Sequence, residues 1–511
     1  MRRWGTMRTF RSHKTGIICC FLLLTVSATA VAQGEKITAR FDQSIEAGRL
    51  SEVERDLFNY VVAHPQDAIG FSLLAKLRLK QNRLNEAKAL ANKALTLNLN
   101  LLSAKLIVAA TNMQAGENEQ ARVVLHSISE TDITDNAVRL NLAQAYVALN
   151  DCPQALTLTR NLPGKYPQVL PLRVKCYWAT GDQKNLASAV MSAQLLAKQN
   201  PSIAVKVAEV LSQSAMHQEA VVMLRLAVVA APKNVKALLL LARSEIALKD
   251  ITKAKAHLAQ AEILEPTSAE LFFVKALLEN EQNDSKKAFE LLEKALTGKP
   301  LDVEILGQFV ITAMRANYPA QAVRAAETLL ELQPANLDFL YLFGAASLQN
   351  NNLERAETAL TEFLKARPAD QRACVALGLT FAAQPDKLDE ARRQMQQCLT
   401  INPNNFEAAY QLGLSYKTQG ETAKAIVYLE DAVKLAPAYA SALRDLGAAY
   451  MQLGAETKAR TVLEKAVSLN PNDAETHFQL SRLYNFIGET ALAKKHREIF
   501  QKLRNPKKEG M

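Results

Sequence analysis

The 511-residue sequence is poor in aromatic residues and in the residues that bend the backbone. Aromatic residues make up 6% of the chain, glycine occurs 18 times, and there are two tryptophans. Alanine and leucine are plentiful instead. This composition argues against a sheet and favours helices packed on helices.

The sequence also lacks the short motifs that carry common enzymatic chemistry. It contains no HExxH pair, no zinc-type Cys-His spacing, no glycine-rich phosphate loop and no GxSxG turn. Adjacent acids such as Glu430 and Asp431 are the ordinary charges of a solvated helix surface. The seven histidines are scattered along the chain, at His13, His64, His126, His217, His257, His477 and His496. We therefore predict that the protein is not an enzyme and has no metal and no cofactor.

Acidic residues are missing from the N-terminal stretch MRRWGTMRTFRSHK, which has five basic residues and is followed by the apolar stretch GIICCFLLLTVSATAVA. This order predicts a secretory signal peptide over residues 1–32, cleaved after Ala32. The alternative is an uncleaved membrane anchor, although the apolar run is short for about 30 Å of hydrocarbon. Export would place the protein in the periplasm or outside the cell.

The net charge of +10 largely reflects this N-terminal segment. Without its five basic residues, 56 basic residues face 51 acidic ones, so the mature chain is near +5. This small excess removes the main argument for nucleic-acid binding. The C-terminal run KKHREIFQKLRNPKKEGM is still basic, and we interpret it as a solvated capping helix and tail. The alternative is a peripheral contact with an anionic lipid or polymer.

The strongest pattern in the sequence is an internal repeat of 34 residues. The segment Leu446–Pro471, LGAAYMQLGAETKARTVLEKAVSLNP, repeats the glycines, tyrosine, alanines, leucine and proline of Leu412–Pro437, LGLSYKTQGETAKAIVYLEDAVKLAP, at seven signature positions. An alanine and a proline series keep this spacing with one step of 35 residues, at AAQPDKLDEA. The alanines are Ala220, Ala254, Ala288, Ala322, Ala356, Ala391, Ala425, Ala459 and Ala493, and the prolines run from Pro232 to Pro471. Such a repeat predicts a stacked array of one supersecondary unit.

Each unit is predicted to hold two antiparallel helices. Position eight is glycine or alanine, as at Gly447, because a larger side chain would push the two helices apart. Glycine inside a helix costs about 1 kcal/mol relative to alanine, so the close contact must offset that cost. Gly454 and Asn351 are expected to end first helices in the left-handed conformation. The proline ends the second helix, because it lacks the amide proton.

This pattern resembles the tetratricopeptide repeat. Its signature of Leu-Gly, Tyr, Gly, Ala, Leu, Ala and Pro is matched in the units that start at Phe406 and Ala440 and in part in the unit that starts at Ala474, although the family's frequent tryptophan at position four is absent. The resemblance covers about fourteen units, from near Glu35 to near Lys507. It implies an all-α, right-handed superhelical solenoid whose first helices line a concave groove.

The repeat is less regular in the N-terminal part of the chain. The segment 161–171, NLPGKYPQVLP, is rich in helix breakers, and the regular proline series starts only at Pro232. We therefore expect an irregular subarray over 33–200, a regular array over 201–507 and a basic tail over 508–511. The breaker-rich segment is either a flexible joint or one irregular unit of a continuous superhelix.

The resemblance places positions two, five, nine and twelve of each first helix on the concave face. Aromatic rings with interleaved arginine and lysine suit an extended peptide or a partner helix. They would also suit sugar rings, and a third interpretation is that the rings pack between adjacent units. The predicted groove residues are Trp178, Lys236, Arg243, Phe273, Tyr341, Arg372, Tyr410, Lys417, Arg444, Phe478 and Arg482.

Four cysteines lie beyond the predicted signal peptide, and they form two pairs with the same separation of 24 residues. Cys374 and Cys398 fall at facing ends of two antiparallel helices, where Cα atoms can approach to about 5 Å. Cys152 opens a second helix, and Cys176 lies late in the first helix that follows. An oxidising compartment would favour both disulfides. The alternative is that all four are reduced core residues.

These features together predict a non-catalytic scaffold that binds other envelope proteins, with no nucleic acid as partner. The alternative is a periplasmic carbohydrate-binding or polymer-binding protein that uses the aromatic rings. In architecture and length the chain is similar to long exported tetratricopeptide proteins that accompany exopolysaccharide export and exosortase (PEP-CTERM) sorting. That similarity implies a role in one of these machineries.

Overall fold

The computed structural model describes residues 32–504, except residues 130, 132, 134, 161, 163–167 and 198. The predicted signal peptide up to residue 31 and the tail 508–511 lie outside the described residues, as does most of the breaker-rich segment. Throughout the described part the chain is helical, with 28 α-helices and no strand. None of these helices is both long enough and apolar enough to cross a membrane.

The chain divides into two compact units between Gln282 and Asn283. The described helices of the first unit are α1 Ala32–Glu46, α2 Leu50–Ala63, α3 Ala68–Lys80, α4 Leu84–Leu97, α5 Leu102–Gln114, α6 Asn118–His126, α7 Asn136–Ala148, α8 Cys152–Thr159, α9 Val169–Thr180, α10 Gln183–Ala197, α11 Pro201–Gln213, α12 His217–Ala230, α13 Val235–Ala247, α14 Ile251–Leu264 and α15 Ala269–Glu281. This division by packing is separate from the predicted change in regularity near residue 200, which stays a prediction.

The second unit contains the most regular repeats of the sequence. Its described helices are α16 Ser285–Gly298, α17 Val303–Arg315, α18 Pro319–Leu332, α19 Leu337–Gln349, α20 Leu353–Ala366, α21 Gln371–Ala382, α22 Leu388–Ile401, α23 Phe406–Thr418, α24 Thr422–Leu435, α25 Ala440–Gln452, α26 Glu456–Leu469, α27 Ala474–Phe486 and α28 Thr490–Arg504. A 3-10 turn at Pro385–Lys387 lies between α21 and α22. It falls within AAQPDKLDEA and accounts for the single step of 35 residues.

Odd-numbered helices are the first helices of the predicted repeats, and even-numbered helices are the second helices. Within each of the two compact units, first helices pack against second helices, and most also pack against the first helix of the next repeat. Each unit is therefore a helical repeat solenoid, as the 34-residue period predicts. In sequence order the 28 described helices form fourteen consecutive pairs, which agrees with the number expected, and one pair, α15 and α16, is divided between the two units.

Glycine at position eight is required by a close contact between the two helices of a repeat. A Cβ atom built on Gly447 of α25 would lie 2.5 Å from Cγ of Leu463 on α26. Leu463 is 0% exposed, so it has little room to move aside. Ala459, which precedes it by one turn on the same face, is also 0% exposed. The sequence expectation of a tight helix crossing at position eight is confirmed.

The ends of the first helices have the left-handed backbone that the sequence predicts. Gly454 follows α25 with φ of 72°, and Asn351 follows α19 with φ of 58°. The left-handed region strains most side chains but is accessible to glycine and, at small cost, to asparagine. The chain reverses at these positions, so the second helix returns along the first.

Candidate functional site

The predicted groove rings at position five are mostly buried. Phe273, Tyr341 and Tyr410 are 7%, 5% and 6% exposed, and only Phe478 reaches 36%. The expectation of an accessible aromatic stripe is therefore wrong for three of the four rings. Because glycine and alanine bring the helices close together, each of these three rings is enclosed by neighbouring helices of the array.

Arginine side chains cover two of the buried rings. Cζ of Arg372 lies 4.7 Å from the ring centroid of Tyr341, and Cζ of Arg243 lies 5.7 Å from that of Phe273. Arg372 is also held by Asp370, with Nη2 donating to Oδ2 at 2.8 Å. Burial raises the pKa of Tyr341 to about 12, against the opposing effect of Arg372. The two arginines therefore contribute to packing through cation–π contacts.

Two other predicted groove cations of the second unit, Lys417 and Arg444, converge on an acidic residue that the sequence analysis did not select. Asp445 on α25 accepts hydrogen bonds from Lys417 Nζ at 2.7 Å, Arg444 Nη2 at 2.9 Å and Tyr410 Oη at 2.9 Å. Arg444 also donates from Nη1 to Asp473 at 3.2 Å. We call these five residues the Asp445 cluster.

Charge pairing stabilises the Asp445 cluster against the cost of burial. Burial by itself would lower the pKa of Arg444, but the carboxylates of Asp445 and Asp473 outweigh it and raise that pKa. Burial would likewise raise the pKa of Asp473, yet bonds from Thr476 and Arg444 lower it. Each cation therefore has an internal anion, and the cluster links α23, α25 and the start of α27.

Two predicted groove residues of the first unit also take part in internal contacts. Lys236 at the start of α13 is exposed but forms an ion pair with Glu209 of α11 at 3.1 Å. Trp178 on α9 is half-buried and packs against a core cluster of α9–α13.

An accessible cluster of aromatic rings and arginines lies on the last helix pair. Phe478 of α27 and Phe500 of α28 have ring centroids 5.3 Å apart. Arg482 lies 5.8 Å from the first ring and Arg504 lies 5.5 Å from the second. We call these four residues the terminal cluster. Both arginines are exposed, and no carboxylate of the described chain forms an ion pair with either.

The sequence analysis selected only half of the terminal cluster. It missed Phe500 and Arg504, because they fall in the basic C-terminal run that it assigned to a cap. A usable signal was present: FQLSR at 478–482 and FQKLR at 500–504 both place arginine four residues after phenylalanine. Residues four apart lie on the same face of a helix. Two such segments on paired helices can therefore bring their rings together.

Comparison with known families identifies the repeats themselves. Models of the tetratricopeptide repeat match residues 224–303, 308–359, 341–406 and 416–480. These segments are tetratricopeptide repeats. The sequence resemblance is confirmed at this level, and the terminal cluster lies at the end of the last matched segment and just beyond it.

Solved structures with similar folds are distant in sequence. Yeast Tom70 is 17% identical, with a TM-score of 0.39 over 91% of this chain and 100% of that one. The Cut9 and Hcn1 hetero-tetramer of the APC/C is 15% identical, with a TM-score of 0.41 over 88% and 98%. A tetratricopeptide repeat protein from Parabacteroides merdae is 19% identical, with a TM-score of 0.43 over 49% and 98%. At these TM-scores the likeness carries no inference about function. No curated protein matches the sequence.

Four histidines of the described helices have local partners. His257 Nδ1 lies 2.7 Å from Glu245, His126 Nε2 lies 2.9 Å from Asp151, and His477 Nδ1 lies 2.9 Å from Nδ1 of His496. Among the described residues, no group of three or more histidine, cysteine, aspartate or glutamate side chains is arranged to hold a metal ion. The terminal cluster presents aromatic rings and positive charge.

The two cysteine pairs differ in the structure. Cys374 of α21 and Cys398 of α22 form a disulfide, with Cα atoms 5.8 Å apart. Cys152 and Cys176 are free and buried, so the structure departs from the expected second bond. Their helices, α8 and α9, belong to consecutive repeats, whereas α21 and α22 form one repeat.

Proposed function

We propose that this protein is a non-catalytic scaffold that binds segments of partner proteins through its C-terminal repeats, with the terminal cluster as the main anchor. The observation that carries the proposal is the accessibility of this cluster. Phe478 is 36% exposed, whereas the position-five rings of Tyr341 and Tyr410 are 5% and 6% exposed. Exposed aromatic residues and arginine are the residue types that most often dominate the binding energy of protein interfaces.

The charges of the terminal cluster suggest what the partner contains. Arg482 and Arg504 lie beside the rings without an internal carboxylate among the described residues. Lys417 and Arg444, by contrast, form ion pairs with Asp445, so their charges are already neutralised within the protein. The fitting partner is therefore a peptide or helix with an acidic side chain next to an apolar or aromatic one. The guanidinium groups would pair with the acid while the rings bury the apolar side chain.

Binding can be tested with purified full-length protein as bait in an envelope extract. The double variant F478A/R482A should reduce captured partner roughly tenfold or more, because two anchor residues are removed. The matched control is R393A, which removes an exposed arginine of α22 that pairs with Glu390. Equal capture by wild type and F478A/R482A would contradict the proposal.

The cellular location is part of this proposal and has its own test. The proposal of export to the periplasm or out of the cell rests on residues 1–32, in which a basic stretch is followed by an apolar one. Mass spectrometry of the protein from its native cells should find a mature N-terminus at Gln33. A role with exopolysaccharide or protein-sorting machinery rests on similarity of architecture, and the identity of the captured proteins would test it.

Carbohydrate binding loses its main argument, because it needed a row of accessible rings. Three of the four rings are too buried to stack on sugars. A glycan-binding screen run beside the protein capture distinguishes the two functions. Glycan retention by the wild type that is lost in F478A/R482A, without a protein partner, would favour the carbohydrate function instead.

A further inference from the structure

Three consecutive second helices of the first unit, α10, α12 and α14, present apolar side chains to solvent at the same repeat position. Residue thirteen of each helix is Leu195, Val229 or Ile263, and these side chains are 71%, 81% and 82% exposed. In the second unit, residue thirteen of each described second helix is polar and exposed: Thr297, Glu331, Lys365, Thr400, Lys434, Ser468 and Lys502. The three apolar residues are therefore a local departure from the residue type of this solvent-facing position.

Neighbouring positions extend this departure into a continuous face. Residues six, nine and thirteen of a helix are spaced by three and four, so they lie on one side of it. On α10, α12 and α14 these positions form what we call the apolar face, all exposed and with one charge among them: Ser188, Met191, Leu195, Val222, Arg225, Val229, Ala256, Ala259 and Ile263. Each described second helix of the second unit carries at least one charge at the same three positions. Exposed apolar patches of this kind mark interaction sites.

The three helices of the apolar face belong to adjacent repeats. Helix α10 packs against α12, and α13 packs against both α12 and α14. With helices about 20 Å long and about 10 Å apart, the face measures roughly 600 Å². A stable protein interface buries about 800 Å² on each partner, and its centre is poor in charge and enriched in methionine and arginine. The apolar face therefore has the composition of an interface centre and much of the required area.

The charges on and beside the apolar face do not accumulate to one sign. Arg225 Nη2 lies 3.8 Å from the carboxylate of Glu245 on α13. Beside the face, Glu262 of α14 forms an ion pair with Lys275 of α15 at 2.5 Å. On α10 the single charged residue is Lys184, near the start of the helix. Such a face does not attract an anionic membrane or an acidic segment, because both require a cluster of cations.

The apolar face is self-complementary under a two-fold axis that runs along α12. Such an axis places α12 against α12 of a second copy, and α10 against its α14. Residues at the same repeat position then meet, so Leu195 lies opposite Ile263 of the second copy and Val229 opposite its own equivalent. The large Met191 lies opposite the small Ala259 of the second copy. Pairing large with small side chains allows the two faces to pack closely, and two-fold dimers are the commonest protein assemblies.

We propose that the apolar face of the first unit joins two copies of this chain into a two-fold symmetric dimer. The apolar side chains of α10, α12 and α14 are buried in the contact, and Arg225 remains beside Glu245. This inference does not rest on the terminal cluster, which lies in the second unit. One dimer presents two terminal clusters.

Sedimentation equilibrium of the purified full-length protein tests the dimer. The wild type should have the mass of two chains at micromolar concentrations. Val229→Glu places two like charges beside the axis, so it should weaken the dimer about a hundredfold or more. Because Val229 is exposed, circular dichroism should show unchanged helix content in this variant. The matched control is Ser468→Glu, at the same position of α26, which should remain dimeric.

A pair of opposite charges tests the direction of the axis. Leu195→Lys and Ile263→Glu should each weaken the dimer, because each sets a charge against an apolar residue. The double variant should regain much of the lost affinity, since an axis along α12 places each lysine opposite a glutamate of the second copy. A double variant weaker than both single variants would overturn this arrangement.

Two results would overturn the dimer itself. One is a wild type with the mass of a single chain throughout the micromolar range, and the other is a dimer that Val229→Glu leaves intact. A monomeric wild type that floats with vesicles of phosphatidylethanolamine and phosphatidylglycerol, and loses this flotation in Val229→Glu, would also overturn it. The face would then belong to a lipid surface.

Discussion

The interior repeats of the second unit and its last repeat use similar residues at position five, yet the structure gives them different roles. Tyr410 on α23 is 6% exposed and donates a hydrogen bond to Asp445 on the next first helix, α25. Phe478 on α27 is 36% exposed, and among the described residues no further first helix packs over it. A position-five ring that is covered by a further repeat is buried and contributes to packing. In the last described repeat the ring at this position stays partly exposed, so it can contact a partner.

The largest effect that separates the two regions should come from removing these rings. Tyr410→Ala should destabilise the second unit by about 3–5 kcal/mol, since it leaves a cavity and removes one donor to Asp445. Phe478→Ala should cost about 1 kcal/mol, because its ring is partly solvated already. Urea unfolding followed by circular dichroism measures both. Equal losses would mean that the end of the array is packed like its interior.

The second largest effect on stability should come from the Cys374–Cys398 disulfide, which is present in an interior repeat and has no counterpart in the last helix pair. Removal of the Cys374–Cys398 bond should cost about 3 kcal/mol, as expected for closure of a loop of this length. The last helix pair, α27 and α28, contains no cysteine and should not respond directly. Hydrogen exchange with and without reductant would locate the change. Faster exchange in α21 and α22 is expected, and an unchanged rate there would contradict the prediction.

A smaller effect should come from the close helix crossing of the interior repeats. Gly447→Ala gains about 1 kcal/mol of helix propensity but forces Leu463 out of its position, so we expect a net loss of about 1–2 kcal/mol. The control is Ser481→Ala, at the corresponding position eight of the last repeat, which keeps a Cβ atom in place. A stabilised Gly447→Ala protein would show that the crossing is looser than the structure indicates.

The smallest expected effect is a dependence of the stability of the last helix pair, α27 and α28, on pH. Burial, and then the positive charge of His477, lowers the pKa of His496 below its usual 6.5, while Lys495 adds to this effect and Glu464 opposes it. The folded helix pair therefore binds this proton less readily than the unfolded chain does. Its stability should be complete above about pH 6.5 and should fall as the pH drops below that value.

Hydrogen exchange of α28 on either side of pH 6.5 measures this dependence, after correction for intrinsic exchange rates. His496→Gln should remove most of it, because glutamine does not titrate. The interior helices α23 and α24 contain no histidine and provide the reference. Equal pH dependence in α24 and α28 would contradict the assignment to His496.

The sequence was sufficient for the repeat and its local geometry, because both depend on neighbours close along the chain. A small residue at Gly447, a left-handed end at Gly454 and a stop at Pro471 each act within one helix pair. The insertion in AAQPDKLDEA could also be located, since it shifts both series by one residue. The terminal cluster could be predicted only in part, because Phe500 and Arg504 lie in a segment that reads as a solvated cap.

What the sequence by itself determined is the all-helical repeat, because the period, the small residues and the helix stops are written into each unit. Only the tertiary structure decided which rings and charges are accessible. Tyr410 and Phe478 occupy the same position of the repeat, and Lys417 and Arg482 are both cations of the predicted groove. Their different environments depend on whether another helix covers them and whether an acid such as Asp445 lies within reach. Those contacts join residues of different repeats, and a pattern within one repeat does not contain them.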